Sequence, residues 1–229
     1  MAFDLLKLLL PKRPMPTRIW RGPFRGACIV MNPRDSLRKI LGVYEHELNP
    51  WLEQALRRVT RVLDVGANDG YFTFGCAAAF RRLGKAGEIV AFEPQPEHVL
   101  KLRESVKDQP ASPTQITLVQ SLVGLREAPG MTTLESIHWS TNGEKTRIGA
   151  LVKIDVEGAE MEVLAGAPSW LRPENLFVIE VHEKEFLETI PRLFAARGLI
   201  LDRIDQRPLR WLGREVRELE NWWLASRLG

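Results

Sequence analysis

Cysteines and long apolar runs are scarce in this 229-residue sequence, and each scarcity excludes a class of protein. The two cysteines, Cys28 and Cys76, are too few for a disulfide framework, so a reducing compartment, the cytoplasm, is predicted. No apolar run reaches the roughly 18 residues that cross a bilayer, and no transmembrane segment is predicted. The hydrophobic content of 45% and charged content of 27% are typical of a globular protein and exclude a disordered or fibrous chain.

A strong excess of charge of one sign is also missing. The net charge is +3, which is too small to indicate a nucleic-acid partner. The excess is concentrated in residues 1–60, where eleven Lys and Arg stand against five Asp and Glu. This basic segment could face an acidic partner or a membrane, or be a solvated surface. Because no motif combines aromatic and basic residues, no nucleic acid is expected as a partner.

The chain divides at residue 60 into two regions of different pattern. Residues 1–60 are predicted to be an N-terminal cap, with a hairpin within 17–30 and helices within 36–60. Residues 61–229 are predicted to be the main domain, in which short apolar runs alternate with helical stretches. Strands are predicted at 61–65, 88–92, 115–119, 150–155, 175–181, 198–203 and 219–225. Helices are predicted at 70–83, 96–107, 158–166 and 184–197. This alternation predicts an α/β fold with a mostly parallel sheet.

A glycine-containing turn follows the first strand of the main domain. In it, Gly66 and Gly70 would allow a ligand to approach the backbone, and Asn68 tolerates the left-handed conformation. The helix that begins near Gly70 directs free N–H groups at the turn. In open α/β sheets ligands bind at this place, outside the carboxyl end of a strand.

An acidic residue, Glu93, ends the second strand and is well placed to accept hydrogen bonds from both hydroxyls of a ribose. The dinucleotide pattern G-x-G-x-x-G is absent, because residues 66–70 read G-A-N-D-G. Asp64 adds negative charge where a pyrophosphate would lie. A carboxylate there suits a cationic ligand, so these residues favour S-adenosyl-L-methionine over NAD.

Charged residues also end two later strands. Since side chains alternate along a strand, Lys153, Asp155 and Glu157 are predicted to share one direction, and Glu180 and His182 another. Asp155 is the first candidate for the general base in the transfer of a methyl group to a hydroxyl, and His182, whose pKa is ordinarily near neutrality, is the second. Glu157 would orient the substrate.

A metal site is the alternative interpretation of the same strand ends. Asp155, Glu180 and His182 could bind a divalent cation, since two carboxylates and an imidazole are a reasonable ligand set. Their spacing is not a recognised metal signature, however, so no metal is predicted.

These motifs together resemble a known family. VLDVGANDGYFT at 62–73, AFEP at 91–94 and KIDVEGAE at 153–160, followed by VLAG, resemble the FkbM-like family of S-adenosylmethionine-dependent methyltransferases. GVYEHEL at 42–48 also resembles that family, and the resemblance covers roughly residues 40 to 200.

The resemblance implies a Rossmann-like class I methyltransferase fold, with a seven-stranded sheet whose last strand is antiparallel. It implies that the turn from Asp64 to Gly70 holds the methionine part of the cofactor, that Glu93 holds the ribose and that Ser121 lies beside the adenine. The implied reaction is O-methylation of a hydroxyl on a small acceptor, a sugar or a secondary metabolite.

Two other classes of protein remain open on sequence grounds. One is a NAD-dependent oxidoreductase, against which the incomplete glycine pattern and Asp64 argue. The other is a non-catalytic nucleoside-binding module, which would have no need of several charged strand ends beside its ligand. The sequence identifies neither the acceptor nor the oligomeric state.

Overall fold

The computed structural model describes residues 8–137, 139–141, 144–146, 149–210, 212–214 and 221–229. The strands are β1 Met15–Arg18, β2 Cys28–Met31, β3 Arg61–Val65, β4 Glu88–Phe92, β5 Gln115–Val119, β6 Leu122–Val123, β7 Met131–Thr132, β8 Trp139–Thr141, β9 Glu144–Thr146, β10 Ala150–Ile154, β11 Leu176–Val181, β12 Leu201–Ile204 and β13 Trp222–Ser226. The helices are α1 Leu37–Ile40, α2 Asn49–Arg58, α3 Tyr71–Arg82, α4 Pro96–Lys107, α5 Glu160–Ala165 and α6 Phe186–Ala195, with 3₁₀ turns at His46–Leu48 and Leu134–Ser136.

Seven strands form the central sheet in the order β12-β13-β11-β10-β3-β4-β5. The last strand, β13, runs antiparallel to both of its neighbours, β11 and β12. The pairs from β11 to β5 are parallel. This confirms the predicted mostly parallel sheet with an antiparallel last strand. The carboxyl ends of β3, β4, β10 and β11 consequently meet at one edge of the sheet.

Alternating side chains place a hydrophobic core on each face of the sheet. Val62 and Leu151 pack on one face with α3, whereas Leu63 and Val152 pack on the other with α5 and α6. Every residue of β10 is buried, as expected for a central parallel strand covered on both faces. The two cores therefore fix the register of the strands whose ends form the site described below.

The N-terminal cap packs on the first of these cores. Its predicted hairpin is formed by β1 and β2, which pair antiparallel. Phe24, in the loop between them, contacts Tyr71 and Phe72 edge to face, with ring centroids 5.1 and 5.5 Å apart. The cap thus shares its hydrophobic core with α3. Residues 1–7 lie outside the described residues, and the domain boundary after residue 60 stays a prediction.

Loss of the Phe24 ring is expected to loosen the cap. Phe24→Leu keeps an apolar side chain but removes two aromatic pairs, each worth about 0.5–1.5 kcal/mol. The free energy of unfolding should fall by about 1–3 kcal/mol, measured by urea denaturation. Trp20→Leu is the matched control, because Trp20 is 65% exposed and its replacement should change little. Equal losses in both variants would contradict the packing role of Phe24.

None of the helices in the described ranges has the length and apolar character that a bilayer crossing requires. The final predicted strand, 219–225, corresponds to Trp222–Ser226, and residues 215–220 are outside the described part of the chain.

Candidate active site

A cavity of about 650 Å³ opens at the edge of the sheet where the strand ends meet. Its volume lies within the range of small-molecule and cofactor pockets. Seven of the nine site residues predicted from the sequence line it, namely Gly66, Asn68, Glu93, Ser121, Asp155, Glu157 and His182. Asp64 and Gly70 do not line it. Tyr44, from the GVYEHEL segment of the cap, also contributes to its wall.

The turn after β3 is built from left-handed residues. Gly66, Asn68 and Gly70 have φ values of +82°, +49° and +86°. A Cβ atom on Gly66 would lie 1.8 Å from the backbone oxygen of Asp155, so only glycine allows the ends of β3 and β10 to approach this closely. The predicted turn is therefore present, and Gly66 is needed for the fold as well as for the cavity.

Glu93 is fixed at the cavity wall by two backbone donors. Its Oε2 accepts a hydrogen bond from the Asn68 N–H at 2.8 Å, and its Oε1 accepts one from the Gln95 N–H at 3.0 Å. The residue is 5% exposed. Oε1 also lies 3.5 Å from His98 Nδ1, and Oε2 retains a second lone pair. This geometry suits a carboxylate that receives hydroxyl groups of a ligand without moving.

Asp64 and Gly70 lie behind the cavity wall. Asp64 is fully buried, accepts a hydrogen bond from Thr73 Oγ1 at 2.5 Å and lies 3.4 Å from the Lys153 ammonium. Burial raises the pKa of the Asp64 carboxyl, and the positive charge of Lys153 opposes that rise. A Cβ on Gly70 would collide with the ring of Phe74. The structure thus gives both residues contacts with the protein itself.

Lys153 links the two central strands under the cavity. Its Nζ donates to the Gly66 backbone oxygen at 2.6 Å and lies 3.0 Å from Asp155 Oδ2. Burial alone would lower the pKa of the Lys153 ammonium, but Asp155 and Asp64 outweigh it and raise that pKa. The ammonium is therefore charged and holds the turn against β10. The strand alternation predicts that Lys153 lies near Asp155 but indicates no such role.

Asp155 and His182 face each other across the ends of β10 and β11, with Asp155 Oδ1 3.9 Å from His182 Nε2. Burial raises the pKa of Asp155, but the adjacent Lys153 charge outweighs it and the net shift is downward. Burial lowers the pKa of His182, but the hydrogen bond and charge of Glu160 outweigh it, and the net shift is upward. Asp155 is consequently a firmly held anion and a weak base.

Glu160 is a residue of the site that the sequence does not single out. It is fully buried in the first turn of α5, and its Oε1 lies 2.6 Å from His182 Nδ1. The same oxygen accepts a hydrogen bond from the Gly158 N–H. An acidic residue at the start of a helix is already explained by its favourable interaction with the helix dipole. The sequence pattern therefore does not predict that Glu160 contacts His182.

Glu157 departs from the predicted alternation. Strand β10 ends at Ile154, and Glu157 follows in a turn with a φ of +50°. Lys153 and Asp155 do share a direction, since their side chains meet, whereas Glu157 is exposed at the cavity. It remains available to a ligand that enters from solvent.

The sheet order and the cavity at its carboxyl edge define a class I methyltransferase fold. Residues 126–201 match the family model of the methyltransferase FkbM domain, which confirms the resemblance found in the motifs. Among solved structures, the chain is similar to methyltransferase FkbM from Methylobacillus flagellatus, with a TM-score of 0.56, 16% identity and coverage of 74% of this chain and 44% of that one.

Two further proteins are similar to this chain. Precorrin-6y C5,15-methyltransferase from Geobacter metallireducens has a TM-score of 0.50 at 15% identity, covering 77% of this chain and 85% of that one. Hexuronic acid methyltransferase AglP from Haloferax volcanii is 28% identical over 52% of this chain and 54% of its own length. The chain thus spans about half the length of this curated relative.

Proposed function

We propose that this protein is an S-adenosyl-L-methionine-dependent methyltransferase that acts on a hydroxyl group of a sugar. The proposal depends on one observation: a glycine turn, the Glu93 carboxylate and the charged residues at the strand ends all line the same cavity. Glu93 is held there by the Asn68 N–H, in a position suited to ribose hydroxyls. The match to the FkbM methyltransferase domain supports the reaction class. The similarity to a protein named hexuronic acid methyltransferase supports a sugar as acceptor.

The residues of the cavity suggest how the cofactor would be held. The turn at Gly66 and Asn68 would hold the methionine part, and Glu93 would accept hydrogen bonds from the ribose hydroxyls. Ser121, which lies beyond β5 at the same cavity, would flank the adenine. Asp64 would act indirectly, by holding Lys153 and the turn.

The acceptor would lie at the end of the cavity formed by Asp155, Glu157 and His182. When bound, S-adenosylmethionine supplies a methyl group on a sulfonium, which is transferred by in-line displacement to a nucleophilic oxygen. Asp155, fixed by Lys153 at 3.0 Å, would orient the acceptor hydroxyl, and exposed Glu157 would contact the rest of the acceptor. Such positioning can contribute up to about 7–11 kcal/mol.

Glu93 provides the sharpest test of the cofactor site. Glu93→Gln keeps the size and one acceptor oxygen but removes the charge that would bind the ribose. The affinity for S-adenosylhomocysteine should fall by about 1.5–3 kcal/mol, the range for hydrogen bonds to a charged group, in isothermal titration calorimetry. Glu97→Gln, an exposed neighbour on α4, should bind as the wild type does.

The same calorimetry separates the remaining classes of function. Binding of NAD instead of S-adenosylhomocysteine would replace the proposal with an oxidoreductase. Binding of neither ligand by the folded wild type would contradict a nucleoside cofactor altogether. Unchanged affinity in a folded Glu93→Gln variant would place the ribose elsewhere.

A further inference from the structure

Three side chains that can bind a metal ion converge beside the acceptor end of the cavity. Asp155 follows β10, while Glu180 and His182 lie at the end of the neighbouring strand β11. One carboxylate oxygen from each acid and a ring nitrogen of the histidine all lie within 4.8 Å of one another. Two ligand atoms on opposite sides of an ion with bonds of about 2.1 Å are about 4.2 Å apart. Small side-chain rotations would therefore close the site.

His182 is oriented as metal-binding histidines are. Its side chain is 8% exposed, and Glu160 holds Nδ1 at 2.6 Å, which leaves the lone pair of the neutral ring on Nε2. Within the described part of the chain, Nε2 makes no hydrogen bond, and it is directed at Asp155 Oδ1, 3.9 Å away. A buried carboxylate on the distal nitrogen is the usual outer partner of a ligating histidine.

The two carboxylates are also arranged to share a cation. The Lys153 ammonium forms an ion pair with Oδ2 of Asp155, whereas Oδ1 faces His182. Glu180 is 4% exposed and accepts a hydrogen bond from the Asn221 side chain. A carboxylate oxygen of Asp155 and one of Glu180 lie within 4.8 Å of each other. Two carboxylates this close repel unless a proton or a cation lies between them.

We propose that Asp155, Glu180 and His182 bind one divalent cation beside the position of the acceptor hydroxyl. Two carboxylates and one imidazole suit Mn²⁺ and Mg²⁺ together with water or substrate oxygens. The assignment of the neighbouring space to the acceptor rests on the proposed function, whereas the ligand geometry does not. The cation would bind the acceptor oxygen and lower the pKa of its hydroxyl, which would release its proton to water as the oxygen receives the methyl group.

The test is titration of the purified full chain with Mn²⁺ alone, followed by calorimetry and by the electron paramagnetic resonance signal of the free ion. One Mn²⁺ should bind per chain, and Mg²⁺ should compete for the site. Asp155→Asn and His182→Gln should each weaken Mn²⁺ binding by at least tenfold. Glu160→Gln, which alters only the outer partner, should weaken it by about 10–100-fold.

His98→Gln is the matched control, because His98 lines the same cavity beside Glu93 but lies outside the cluster. Its Mn²⁺ affinity should equal that of the wild type. Absence of binding at millimolar Mn²⁺, or wild-type binding in Asp155→Asn, His182→Gln and Glu160→Gln, would overturn the proposal. Circular dichroism melting of each variant identifies those that fail to fold. Glu160→Gln and Asp155→Asn alter different elements, so either one tests Mn²⁺ binding if the other does not fold.

Calorimetry with S-adenosylhomocysteine on the same samples separates this proposal from the proposed function. If the wild-type protein binds S-adenosylhomocysteine but not Mn²⁺, the cation proposal is contradicted and the proposed function is not. A wild type that binds Mn²⁺ at these residues but no nucleoside would retain the cation site and contradict the methyltransferase assignment.

Discussion

Asp155→Asn is expected to lower the kcat of methyl transfer by about 10²-fold, because the acceptor hydroxyl loses its positioning, with little change in the affinity for S-adenosylhomocysteine. The substitution keeps the size of the side chain and removes the charge that is fixed by Lys153 at 3.0 Å. Asp155 lies at the acceptor end of the cavity, away from Glu93, so its charge should matter in the transition state more than in cofactor binding. An interaction of that kind changes kcat and kcat/KM together.

The measurement is transfer of a radiolabelled methyl group to a panel of neutral and acidic glycosides, with calorimetry on the same preparations. Glu162→Gln, an exposed carboxylate of α5, is the control and should retain wild-type turnover. Wild-type kcat in Asp155→Asn, or a loss of cofactor affinity as large as the loss of turnover, would remove Asp155 from the acceptor site. A chelator that abolishes wild-type turnover, with rescue by Mn²⁺, would add support for its role as a ligand.

Local sequence patterns were sufficient to predict the sheet and its edge. Runs such as residues 61–65 and 88–92 coincide with β3 and β4 because short apolar runs bounded by turns encode buried parallel strands. The start of the sixth predicted strand differs: residues 198–200 precede β12, because Gly198 is left-handed and the Leu199 N–H donates to the Phe194 carbonyl at the end of α6. Such helix ends are poorly defined by periodicity.

The predicted site residues came together for a topological reason. In a parallel sheet the carboxyl ends lie at one edge, so acids that end different strands become neighbours without any local contact. Glu93, Asp155 and His182 were found in this way, and all three line the cavity. Tyr44 and Asn221 line it as well. Tyr44 belongs to the cap and Asn221 immediately precedes β13, so neither follows the carboxyl end of a parallel strand.

Partnerships between side chains could not be predicted, because they depend on strand register. The register of β10 on β3 sets Lys153 directly opposite Asp64. Asp64, which the sequence predicts as a cofactor ligand, therefore pairs with a buried lysine. Similarly, the fold of α5 onto β11 brings Glu160 to His182. Neither pair lies at a spacing that a linear pattern reveals.

Removing the Lys153 ammonium is expected to be the most destabilising single change at the site. Lys153→Met keeps the apolar stem but leaves Asp64 and Asp155 without their shared counterion, and the Gly66 carbonyl loses its donor. Breaking a buried ion pair by removing one partner costs about 3–5 kcal/mol. Urea denaturation should show a loss of this size in the free energy of unfolding, whereas exposed Lys107→Met should change it little.

A double-mutant cycle with Asp64→Asn assigns that loss to the charge pair. Asp64→Asn alone should destabilise the protein, because Lys153 then keeps only Asp155, but in the Lys153→Met background it should restore stability by removing a buried, unpaired carboxylate. The coupling energy should fall within about 0.5–3 kcal/mol.

The loss of stability in Lys153→Met should also depend on pH. Because burial raises the pKa of Asp64 in the folded state, its protonation favours folding, so the deficit in the free energy of unfolding of Lys153→Met should shrink as the pH falls. Strictly additive losses, with a deficit independent of pH, would show that Lys153 stabilises the fold through its stem and not through its charge.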